Sequence, residues 1–74
     1  MDLFQLRAGE RAEIVQVLCE EKLALRLSAM NIRAGSVVRV LRRAPLGSLM
    51  VEAEGTRAAI RPSLARHLLV RRLP

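Results

Sequence analysis

The segment LMVEAEGTRAAIR, residues 49–61, alternates with period two on both sides of a tight turn. Leu49, Val51 and Ala53 point one way, and Met50, Glu52 and Glu54 the other. Beyond Glu54-Gly55-Thr56, Ala58 and Ile60 resume the inward positions. A period of two places alternate side chains on opposite faces of a strand, and a Gly-containing turn reverses the chain between two of them. The middle of the chain is therefore committed to sheet, with a defined inside and outside. Phe4 is the only aromatic residue in a chain that is 51% hydrophobic, so the core is expected to be built from aliphatic side chains, with Phe4 joining it.

The remaining segments extend the pattern. RAEIVQVL, residues 11–18, is rich in Ile and Val and reads as a first strand, with apolar residues on both faces. Residues 20–31 change character. Leu23, Leu27 and Met30 form one helical stripe, and Glu20 and Glu21 sit where the helix dipole favours negative charge. Asn31 can take the left-handed conformation that ends a helix, with Ile32 packing back on Leu27. Gly35 turns the chain into SVVRVLRR, where Val38 and Val40 face one side and Arg39 and Arg43 the other. Pro62 and Ser63 open a brief helical turn, and LVRRL closes the chain as a last strand. The order is strand, helix, three strands, short turn, strand. In 74 residues this makes one domain. Five short strands would leave exposed edges in an open sheet, so the predicted fold is a mainly β, SH3-like, partly open barrel of about five strands, with one α-helix inserted after the first.

The chemistry-bearing residues are few. The one Asp is Asp2, near the start of the chain, so no acid is placed to orient His67 in a Ser-His-Asp arrangement. Cys19 and His67 lack any local nucleophile signature, and no enzyme activity, cofactor or small-molecule substrate is expected. There is no CxxC, HxxxH or EF-hand spacing. Cys19, Glu20 and Glu21 together with His67 make at most a weak metal site. The simpler reading gives the two glutamates to the helix start and His67 to the end of a turn, so no metal ligand is assigned. A single cysteine permits no internal disulfide, and the chain shows neither a leader pattern nor a membrane-spanning apolar run, so a cytoplasmic protein is expected.

Thirteen basic residues, only Lys22 of them a lysine, face seven acidic ones, for a net charge of +6. Such a surface attracts acidic partners without choosing among them, and a GC-rich genome produces the same arginine bias. Barrels that bind RNA or single strands stack bases on aromatics, which this chain lacks, so nucleic acid is the less favoured partner.

The stretch RRAPLGS, residues 42–48, remains. Pro45 fixes φ and Gly47 can adopt positive φ, so the loop has a defined shape. Leu46 at its tip either folds back to cap the barrel or stands exposed as a contact residue.

In order and spacing the chain resembles the ferrous-iron transport protein A (FeoA) family, small SH3-like domains of bacteria. The features are Leu3 and Leu6 before Gly9, the run RLSAMNIRAGSVVRV, the tetrapeptide APLG at 44–47, and GTRAAIRPSLARHLLV at 55–70. It departs from the family pattern at Asn31, where Gly is usual, and at Ser48, where Asp-Pro is usual. The resemblance implies a non-enzymatic accessory of ferrous iron uptake. Its partner would be the cytoplasmic part of the membrane GTPase iron transporter (FeoB), with homo-oligomers also possible. Pro45, Leu46 and Gly47 would make contact, and Arg42 and Arg43 would steer. The same domain type ends iron-dependent repressors, so a regulatory module of that kind is the alternative, and a basic nucleic-acid-binding barrel a third.

Overall fold

In the computed structural model, which describes all 74 residues, the strands follow the predicted order. A 3-10 turn at Leu3–Gln5 precedes β1 (Arg11–Val17), α1 (Glu21–Ala29), β2 (Val37–Arg43), β3 (Leu49–Ala53), β4 (Thr56–Ile60), α2 (Pro62–Ala65) and β5 (Leu68–Leu73). All pairings are antiparallel, in the order β4-β3-β2-β1-β5. This is the mainly β architecture with one inserted helix expected from the sequence, and it is left open between β4 and β5.

The alternation read at residues 49–60 holds. Leu49, Val51, Ala53, Ala58 and Ile60 are buried, and Ala53 pairs with Thr56 across a two-residue turn whose Glu54 and Gly55 both have positive φ. That backbone matches the right-handed twist of the flanking strands. Seventeen buried side chains form one core, all of them aliphatic. Phe4 lies at its rim, half-buried, and not inside it as expected.

The helix ends as predicted. Asn31 has φ 65°, its N–H donates to Ser28 O at 3.0 Å, and Ile32 N–H donates to Leu27 O at 2.9 Å. These are the two reverse bonds of a Schellman cap, with the Ile32–Leu27 contact sealed in the core. Asn31 adds what Gly cannot, a bond from its Nδ2 to Thr56 Oγ1 at 3.2 Å that ties the helix end to β4.

Two bulges explain where simple alternation fails. Pairing of β1 with β5 shifts between Ile14 and Gln16, so the alternation that buries Ala12 and Ile14 and exposes Val15 breaks at Gln16, which is exposed as well. Pairing of β2 with β3 shifts between Val40 and Arg42, so Leu41 is the extra residue. Arg42 then pairs with outward Met50, and Arg43 with buried Leu49. Arg43 is thus moved off the Arg39 face to which period-two counting assigned it.

Candidate partner-binding site

The 44–48 loop is a built structure. Gly47 N–H donates to Ala44 O at 2.9 Å, closing a turn with Pro45 and Leu46 at its centre, and Ala44 N–H donates to Ser48 O at 2.8 Å. Pro45 pre-sets φ for the first central position, and Gly47 takes φ 93° after the turn. This is a three-residue hairpin connection in which the residue after the turn must be left-handed, which suits Gly.

The base of the loop is pinned. A Cβ added at Gly47 would lie 3.2 Å from Pro62 Cγ and 4.0 Å from Phe4 Cε1. Beside it, Arg43 Nη2 donates to the carbonyls of Phe4 and, at 2.7 Å, Leu6. The guanidinium carbons of Arg43 and Arg66 lie over the Phe4 ring, 4.8 and 4.5 Å from its centroid. Cation–π contact and charge-assisted hydrogen bonds thus hold the N-terminal turn, β2 and α2 together. Leu46, by contrast, is 93% exposed, the most exposed large hydrophobic of the chain. It does not fold back to cap the barrel.

Of the five residues expected to form the contact, Pro45, Leu46 and Gly47 make up this turn and Arg42 is exposed beside it. Arg43 is taken up by Phe4 and Leu6, so its charge is partly spent inside the molecule. Counting along the sequence missed Phe4, Pro62 and Arg66 as supports of the loop. The only local signal was that Phe4 is the single aromatic.

Apart from the loop, a concavity of about 210 Å³ lies between the end of β1, α1 and α2. Leu18, Cys19, Leu23, Leu64 and His67 are among its lining residues. Cys19 and His67 therefore share a groove. His67 Nδ1 sits 2.8 Å from Ser63 O, and since a carbonyl only accepts, that nitrogen carries the proton. No three His, Cys, Asp or Glu side chains come together anywhere in the chain, and Glu20 and Glu21 stand at the start of α1. No helix is long and apolar enough to cross a membrane.

The FeoA domain model matches residues 1–72. A solution structure of the FeoA protein from Chlorobium tepidum is 35% identical, covers all of this chain and 71% of its own, and superposes with a TM-score of 0.93. The zinc complex of Stenotrophomonas maltophilia FeoA is described as a prokaryotic SH3 domain protein and a candidate ferrous iron transport activating factor. It is 32% identical over 96% of this chain and 89% of its own, with a TM-score of 0.74. A manganese-dependent transcriptional repressor shares the fold over 97% of this chain and 40% of its own, at 22% identity and a TM-score of 0.84. No curated protein matches the chain in sequence.

Proposed function

The chain belongs to the FeoA family, whose members are linked to ferrous iron transport, and from that premise we propose that it is a non-enzymatic cytoplasmic accessory that docks on the cytoplasmic part of the membrane GTPase iron transporter. The observation that carries this reading is the pairing of a pinned loop base with an exposed Leu46. An apolar side chain held in water on a fixed turn is poised for burial by a partner, because little conformational entropy is lost on binding. Fully burying one leucine is worth about 1.5–3 kcal/mol. Arg42 beside the turn steers an acidic rim toward it. Peptide capture between aromatic side chains, as in many SH3 domains, does not suit a chain whose one aromatic is covered by two arginines.

The test is capture of the transporter's soluble cytoplasmic region by the purified chain, at low and at physiological salt, with Leu46→Asp alongside. Binding that persists at physiological salt and drops at least about tenfold in the variant supports the loop contact. Equal binding by parent and variant removes Leu46 from the interface. The regulatory reading rests on the fold shared with the repressor, and it gains ground if no binding is found at either salt.

A further inference from the structure

The two edges of the open sheet are not alike. On the outer side of β5, Val70 N–H donates to Met1 O at 2.9 Å, and Asp2 bridges to Leu69. The N-terminus therefore covers that edge at Leu69 and Val70. β4 has no such cover, and it pairs with β3 alone.

The β3–β4 register identifies the free groups. Ala53 and Thr56 flank a two-residue turn and so form a hydrogen-bonded pair. Bonded and non-bonded pairs alternate along an antiparallel ladder. The backbone groups of Thr56, Ala58 and Ile60 hence face β3, and those of Arg57 and Ala59 face outward. Both outward residues are exposed, and neither makes a backbone hydrogen bond outside the ladder or accepts one from a side chain. Ala59 leaves the approach unobstructed, and no proline or bulge blocks the strand.

The side chains along this edge are basic. Arg57 and Arg61 flank Ala59 along an extended segment, about 13 Å apart at strand spacing. Arg61, the N-cap of α2, donates from Nε to Ser63 Oγ at 3.2 Å and borders the groove beside α2, which leaves its terminal nitrogens for a partner. Neither is in an ion pair; the chain's two pairs are Arg71–Glu13 and Arg72–Glu10. The nearest acid across the sheet is Glu52, opposite Arg57. A second copy is a poor occupant. Antiparallel pairing about Ala58 would set the arginines at 57 and 61 of both copies on one face within diagonal reach, between two chains of charge +6 each.

We propose that the free edge of β4 accepts an added strand from a partner protein, an extended acidic segment with carboxylates two residues to either side of a small residue. The carboxylates would meet Arg57 and Arg61, the small residue would face Ala59, and the partner backbone would bond the free amides and carbonyls of Arg57 and Ala59. This contact uses residues other than those of the Leu46 loop and does not depend on which protein supplies the strand.

The test uses the full chain and a blocked heptapeptide, Thr-Glu-Val-Ser-Val-Glu-Thr. Residue-resolved amide exchange should show Arg57 and Ala59 unprotected in the free chain at all concentrations. On saturation with peptide, their exchange should slow by on the order of tenfold or more. N-methylation of the peptide amides that bond β4 should abolish binding, which charge attraction alone would survive. Arg57→Glu with Arg61→Glu should weaken it about tenfold. Ala59→Pro, which deletes an outward N–H at an edge position, gives an independent loss. Leu46→Asp should leave peptide binding unchanged, so failure of the loop contact and failure of this one are told apart. The proposal is overturned by equal binding of the methylated peptide, by unprotected Arg57 and Ala59 amides at saturation, by absence of saturable binding at low salt, or by concentration-dependent protection in the free chain, which would assign the edge to self-pairing.

Discussion

Replacing Gly47 by alanine tests whether the loop is held as tightly as its contacts imply. At φ 93° an L residue is strained by roughly 1–2 kcal/mol. The new Cβ would also sit 3.2 Å from Pro62 Cγ, closer than ordinary van der Waals contact. Pro62 is the first residue of α2 and its ring cannot swing aside, so the crowding adds roughly 1 kcal/mol or more. The expected cost is roughly 2–3 kcal/mol. For a chain of 74 residues, whose total stability is about 4–11 kcal/mol, that lowers Tm by roughly 10–20 °C. Gly35→Ala is the matched control. Its φ is 94°, but nothing lies within 4 Å of the added carbon, so only the backbone strain of roughly 1–2 kcal/mol applies. Urea unfolding of both variants, and of each in a Pro62→Ala background, separates strain from crowding. Gly47→Ala should recover about 1 kcal/mol in that background, and Gly35→Ala nothing. If Gly47→Ala costs no more than Gly35→Ala, or the Pro62 change gives no relief, the loop base is not packed against α2 as described.

Two further changes probe the supports of the fold. Asn31→Gly relieves the left-handed strain but deletes the bond to Thr56 and loosens the unfolded chain; a net loss of about 1 kcal/mol is expected in urea unfolding, and Thr56→Val in the same background should add little. Arg43→Ala removes two bonds to backbone carbonyls and a cation–π contact, so a loss of about 1–3 kcal/mol is expected, with Arg42→Ala within about 0.5 kcal/mol of the parent; comparable losses in the two would refute the role of Arg43 as a tie between β2 and the N-terminal turn.

The sequence carried the elements whose signals are local. Leu49, Val51 and Ala53 needed only period two, Leu27 only helical spacing, and Asn31 with Ile32 only the cap that a tolerance of positive φ allows. What escaped depends on pairing between distant segments. The bulge at Leu41 is visible only once β2 is laid against β3, and without it Arg43 counts onto the wrong face. The carbonyls that receive Arg43 belong to residues 39 and 37 positions earlier in the chain. The place of Phe4 is fixed by Arg43 and Arg66, neither of them a neighbour in sequence. The open side of the sheet has the same origin. A partly open barrel could be read from the strand pattern, but not where it opens; the N-terminal residues meet β5 at Leu69 and Val70, and β4 is left free. At the candidate site the turn chemistry of Pro45 and Gly47 could be read directly, but the outward direction of Leu46 could not, because whether it meets the rest of the barrel depends on segments distant in sequence, such as Phe4 and Pro62 beside Gly47.

The most direct test of docking through the loop is amide chemical-shift mapping of the isotope-labelled chain as the transporter's unlabelled cytoplasmic region is added at physiological salt. Docking through the loop predicts the largest perturbations at Leu46, Gly47 and Ser48, spreading to Phe4 and Arg66 and lost in Leu46→Asp. Saturable binding that leaves the loop signals unmoved, with perturbations confined elsewhere, would contradict it.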